Sequence, residues 1–191
     1  MNEALDKEGD GSRLVLPVGA RDHAQGSAAA AVTLLEYGDF ECEYCAEAFP
    51  VVKEVNRWLR GALRYVFRHF PVAERHPNAL RAAEAAEAAG AQGRFWEMHD
   101  LLCERSPALD AVHLNDYARE LGLDLERFGR EMREHTHRGK VREDFTSGVR
   151  SGVSGTPAFF INGERYTGAS DLDGLLAAIE EAGYRVVSGD K

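Results

Sequence analysis

The chain has 191 residues and a formal net charge of −9, with 29 % of its residues charged and 44 % hydrophobic. That length and balance suit one domain with a real core, and the acidic excess disfavours nucleic acid or an anionic membrane surface as a partner. No apolar run approaches the roughly 20 residues that span a bilayer, and three cysteines are too few, and odd in number, for a disulfide-stapled secreted scaffold.

Residues 1–12 are acidic and polar and read as a disordered lead-in. They lack the basic and then apolar stretches of a secretory leader, so the expected location is cytoplasmic. A single domain is expected over 13–187. Leu14–Leu16 reads as a short edge strand and Asp22–Ala30 as a polar connection. Val32–Tyr37 is β-branched and aliphatic enough for a buried strand. From Ala46 the spacing turns helical, to about Leu59, where Arg60-Gly61 stops it. Leu63–Phe70 reads as a second strand closed by Pro71. Strand, helix, strand with short connections predicts a βαβ unit with parallel strands and a right-handed crossover.

The segment 77–150 reads as a helical insertion. Asn78–Ala89 is alanine-rich and ends at Gly90. Phe95, Met98 and Leu102 mark a second stripe, Leu114, Tyr117, Ala118 and Leu121 a third, Leu125, Phe128 and Met132 a fourth, and Val141, Phe145 and Val149 a fifth. Strand character returns at Thr156–Ile161. Asn162-Gly163 is a strong two-residue hairpin signal, and Glu164–Thr167 is the expected return strand. Ser170-Asp171-Leu172-Asp173 has the form of a helix start, with Leu172, Leu175, Leu176 and Ile179 as the buried face.

The chemistry concentrates in Cys42-Glu43-Tyr44-Cys45, a C-x-x-C pair delivered from a strand into a helix start. Unpaired backbone N–H groups and the positive end of the helix dipole favour an anion there, and the thiolate is the reactive form of cysteine. With only this pair close in sequence, redox chemistry ranks ahead of a structural zinc site, which usually has four ligands. Glu36, on the buried strand, should have a raised pKa through desolvation. Glu43, beside the thiolate, should raise the Cys42 pKa by like charge. Phe40 and Tyr44 flank the cysteines as a candidate binding rim.

The βαβ…ββα order with C-x-x-C opening the first helix resembles the thioredoxin fold, and the helical insertion resembles its DsbA-like branch of thiol–disulfide oxidoreductases. Phe40-Glu41-Cys42-Glu43-Tyr44-Cys45, Gly155-Thr156-Pro157 and Glu36, six residues before Cys42, carry the likeness over about Ala31–Tyr184. The resemblance implies an α/β thioredoxin fold, Cys42 as exposed attacking nucleophile, Cys45 as buried resolving thiol and Glu36 as proton acceptor. It also implies a cis bond at Pro157 and backbone pairing of a substrate peptide at Thr156. Relatives often carry proline and histidine between the cysteines. Here Glu43 and Tyr44 stand there, which predicts a less stabilised thiolate and a weaker oxidant than periplasmic DsbA.

The expected partners are protein or peptide thiols and disulfides and an unidentified redox partner, without cofactor or metal. The alternative is a non-catalytic thioredoxin-like module whose cysteines form a structural or metal-binding pair. Cys103, four residues after His99, reads as a small core residue. Trp96, Phe95 and Met98 read as core of the insertion. Lys53, Arg57, Arg60 and Arg64 form a solvated basic stripe. His69, His76, His135 and His137 have no convincing partner at ligand spacing, and His135 and His137, on different helix faces, read as surface residues.

Overall fold

In chain order the elements are β1 (His23–Gln25), β2 (Val32–Gly38), α1 (Glu43–Leu59), β3 (Leu63–His69), α2 (Ala79–Gly90), α3 (Phe95–Glu104), α4 (Ala111–Glu120), α5 (Leu125–Glu134), α6 (Arg138–Arg150), β4 (Ala158–Ile161), β5 (Glu164–Arg165) and α7 (Leu172–Glu181). This computed structural model describes residues 11–59 and 61–183. Most of the expected lead-in, Arg60 of the basic stripe and the chain from 184 onward lie outside the described residues.

The sheet order is β1-β3-β2-β4-β5. β2 and β3 run parallel, with Val32 opposite Leu63 and Gly38 opposite His69. β4 is antiparallel to β2, with Leu34 opposite Ile161 and Tyr37 opposite Ala158. Asn162 and Gly163 both take positive φ, 50° and 84°, as a tight hairpin turn requires and as these two residue types tolerate.

Alternation along β2 divides the core. Leu34 joins a cluster with Val52 and Val55 of α1, Phe67, Met98, Phe159 and Leu175. Leu35 and Tyr37 point to the other face, where Val66, Phe70, Val153 and Phe160 pack. The period of two that separates these faces puts Glu36 on the α1 side. The five helices α2–α6 lie between β3 and β4 in sequence. α6 reaches the sheet closely because Gly148 has no side chain: a Cβ there would stand 2.7 Å from a Phe70 ring carbon.

Two expectations at the N-terminal end give way. The polar connection contains β1, which pairs antiparallel with β3, His23 opposite Phe67. A three-residue half-buried edge strand has too few positions to show an alternation. Leu14–Leu16 is not a strand; Arg13 makes an isolated bridge to Glu164. The Leu16 and Pro17 carbonyls instead accept hydrogen bonds from the buried Arg68 guanidinium at 2.8 and 3.1 Å. At the other end, β4 starts at Ala158, two residues later than expected, since Pro157 has no N–H to give a ladder.

Candidate active site

β2 ends at Gly38, and the turn Asp39–Cys42 leads into α1. Cys42 stands immediately before the helix, and its carbonyl accepts from the N–H groups of Cys45 and Ala46, each at 3.1 Å. A hydrogen bond from the Cys45 thiol, one with the Thr156 side chain and the backbone N–H groups of Cys45 and Tyr44 together outweigh partial burial. They hold Cys42 at about 5, far below an ordinary thiol. Its Sγ lies 3.3 Å from the Thr156 carbonyl oxygen, and the Thr156–Pro157 peptide bond is cis. Cys45 is driven the other way, well above the usual thiol range, first by burial, then by its bond to Cys42 and the nearby Glu36 charge.

Glu43 was expected to raise Cys42 by like charge, and Cys42 nonetheless stands far below an ordinary thiol. Glu43 is the exposed first residue of α1, where water screens its charge, while the helix N–H groups lie directly on the sulfur. Cys42 was also expected to be exposed, yet the residue is only 5 % accessible. The 154–156 loop covers it, and it opens onto solvent through a groove shared with Glu43, Tyr44, Val72, Glu74, His76 and Thr156.

Phe40 also departs from expectation. It is buried, stacked on Phe67 at 5.2 Å with His69 and His99 at its edges, so it fills the core beneath the cysteine loop and presents no rim to a peptide. Tyr44 stays on the rim, 61 % exposed.

Beneath Cys45 lies a cavity of about 10 Å³ bordered by Glu36, Tyr65, His99 and Cys103 among others. That is about the space one water needs. Glu36 accepts a 2.7 Å hydrogen bond from the Tyr65 hydroxyl. Burial, opposed by that bond and aided by the Cys42 charge, raises its pKa to about 7. Cys103 borders the same cavity, and burial pushes its thiol upward, which leaves it protonated and unreactive at neutral pH.

Sequence reasoning missed Asp39 and His76. The buried Asp39 carboxylate accepts from the N–H groups of Glu41 and Val72, at 2.9 and 2.8 Å, and pairs with His76 Nδ1 at 2.8 Å. Its own N–H points to Cys45 Sγ at 3.4 Å. Partial burial works against a charged His76, but the Asp39 bond and the charges of Asp39, Cys42 and Glu41 prevail and raise its pKa. The aspartate directly before the Phe40–Cys45 motif was the available signal. The other histidines are also partnered: His69 and His23 bond Glu87, His135 bonds Glu84 and His137 bonds Glu131.

A family model described as Thioredoxin matches residues 20–181. The chain belongs to the thioredoxin family. Within it the fold is DsbA-like. This thioredoxin-family chain superposes on BdbD from Bacillus subtilis with a TM-score of 0.77 at 21 % identity, covering 85 % of this chain and 92 % of that one. A thioredoxin-like oxidoreductase from Silicibacter pomeroyi gives 0.76 at 26 %, covering 86 % and 93 %. The thiol-disulfide exchange protein alpha-DsbA2 from Wolbachia pipientis gives 0.74 at 20 %, covering 85 % and 87 %. In sequence, it is 46 % identical over 170 residues to a protein of Salinispora arenicola named Na(+)/H(+) antiporter NhaA 1; the match takes in 88 % of this chain. The chain spans about a quarter of the length of the curated relatives it matches, 26 % in that case.

Proposed function

We propose that this protein is a thiol–disulfide oxidoreductase acting on protein or peptide disulfides through Cys42 and Cys45. The observation that carries the reading is the placement of Cys42 at the mouth of α1, its Sγ 3.3 Å from the Thr156 carbonyl oxygen before the cis Pro157 bond, which goes with a Cys42 thiol lowered to about 5 and a Cys45 thiol raised. At neutral pH the Cys42 thiolate attacks one sulfur of a substrate disulfide. A Cys42–substrate bond forms and the other substrate sulfur leaves as thiolate. Cys45 then gives its proton to Glu36 and attacks the Cys42 sulfur. The second substrate thiolate leaves, and the Cys42–Cys45 disulfide holds the oxidising equivalent. A carboxylate with a pKa of about 7 suits a base working at neutral pH. Thr156 pairs with the substrate backbone beside Pro157, and Tyr44 forms part of the rim.

The finer assignment concerns direction. A nucleophile near 5 stands between thioredoxin, at about 7, and DsbA, at about 3.5. A thiolate less stabilised than that of DsbA makes the reduced form less stable, which supports a weaker oxidant than DsbA. The test is insulin reduction with trapping and metal analysis. Cys42→Ser should abolish turnover, and Cys45→Ser should accumulate mixed disulfides. Full turnover by Cys45→Ser, or stoichiometric zinc without exchange, would overturn the assignment.

A further inference from the structure

The groove in front of Cys42 does not end at the cysteines. Val72, Glu74 and Ser154 line it and also line a second depression of about 500 Å³, within the range of about 300–1,000 Å³ typical of ligand sites. The two halves differ in chemistry. Around Cys42 the walls carry Glu41, Glu43, Glu74, Arg75 and His76. Past Val72 the walls are mainly apolar, Phe70, Leu80, Val141 and Phe145, with Arg138, held by Glu84, among them, and the Phe70 and Phe145 rings stack at 4.5 Å. Three separate elements build this apolar end: the loop after β3, the first turn of α2 and the first half of α6. Arg142, exposed and without an ion pair among the described residues, stands at its rim.

A substrate tethered by its sulfur at Cys42, with its backbone along Thr156, leaves the cysteines on one side across Val72 and Ser154. There it meets apolar wall next to a positive charge. We infer that this second depression is a specificity pocket for the disulfide substrate itself: an extended polypeptide segment with a large aliphatic or aromatic residue on one side of its cysteine and a carboxylate beyond it, which Arg142 meets. The inference rests on the dithiol reading above and names the substrate class of that site. Two features commit the occupant: Val72, Glu74 and Ser154, which the groove at Cys42 shares with the apolar end, and the positive charge of Arg142, which has no ion pair among the described residues.

The test is a set of peptide disulfides in which one position at a time, on either side of the cysteine, is glycine or phenylalanine, with oxidised glutathione as a small substrate. The variants are Leu80→Asp and Ala73→Trp. Leu80 is the second residue of α2, where an acidic side chain suits the helix dipole, and Ala73 is an exposed loop residue. The wild type should favour phenylalanine at one position by about tenfold in kcat/KM, the scale of a filled apolar pocket. Both variants should lose that preference while keeping the glycine-peptide and glutathione rates. Equal rates for all peptides, or a preference that survives both variants, would overturn the pocket. Loss of glutathione exchange in the wild type would overturn the dithiol reading, and the pocket with it.

Discussion

At Glu36 the proposed role and stability oppose each other. In the unfolded chain its carboxyl titrates near 4.5, whereas in the fold it titrates near 7. Between these values the folded state keeps a proton that the unfolded state has lost, so this residue's contribution falls as pH rises through the window. The deficit above it is about 3 kcal/mol. Glu36→Gln, which still accepts from Tyr65, should therefore unfold at a higher temperature than wild type near pH 8 and at a similar temperature in mild acid. It should also resolve mixed disulfides about a hundredfold more slowly. A calorimetric scan at each pH and a quenched trapping experiment check the two halves. His76 offers a contrasting case. His76→Gln removes a cation beside the thiolate, so Cys42 should titrate higher, read from ultraviolet thiolate absorbance against pH. An unmoved titration would reduce the Asp39–His76 pair to a loop clasp. The role of Glu36 was legible in the sequence; the Asp39–His76 pair was not, because the two are 37 positions apart and nothing in local spacing joins them. Phe40 failed for a related reason: its neighbourhood is set by Phe67 and His99 from distant elements, whereas its nearness to Cys42 was all the sequence offered.

At the level of elements the reading was clearer, because periodicity reports which face is buried. The parallel pair β2 and β3, the helices from α1 to α7 and the Asn162-Gly163 turn all follow from patterns within single segments. β1 did not, since three half-buried edge residues carry no pattern. The packing of α6 on the sheet shows what such patterns omit. Helix propensity favours alanine over glycine by about 1 kcal/mol, yet Gly148 is where α6 meets Phe70 and Tyr37. A Cβ there would stand 2.7 and 3.1 Å from their rings. Gly148→Ala should cost a net of about 1–3 kcal/mol by overpacking, measured by denaturant unfolding. A stabilised variant would mean that α6 can shift outward without loss.

Across the whole molecule, one buried ion pair ties the N-terminal segment to the sheet. The Arg68 guanidinium lies against both oxygens of Asp22, at 2.8 and 3.0 Å, and also bonds the Leu16 carbonyl and the Tyr37 hydroxyl. Burial opposes ionised Asp22, but Arg68 and the Gly19 N–H prevail and hold its pKa below the ordinary range. Its stabilisation is present above the usual carboxylate range and is lost as pH falls through that lowered value. Asp22→Asn leaves Arg68 charged and unpaired in the interior, which should cost about 3–5 kcal/mol, read as a lowered midpoint in urea. An unchanged midpoint would show that the carbonyl partners suffice.

The borders of the sheet carry a consequence for how the protein meets other chains. β1 offers three residues at one margin and β5 two at the other, and Arg13 already bridges to Glu164 beside the latter. Margins this short give a visiting strand little to zip onto, which discourages stacking of copies side by side. The backbone at Thr156 lies away from both margins and directly against Cys42 Sγ. In the exchange reaction proposed above, a guest docked there is held by its own sulfur and leaves once that bond has been exchanged.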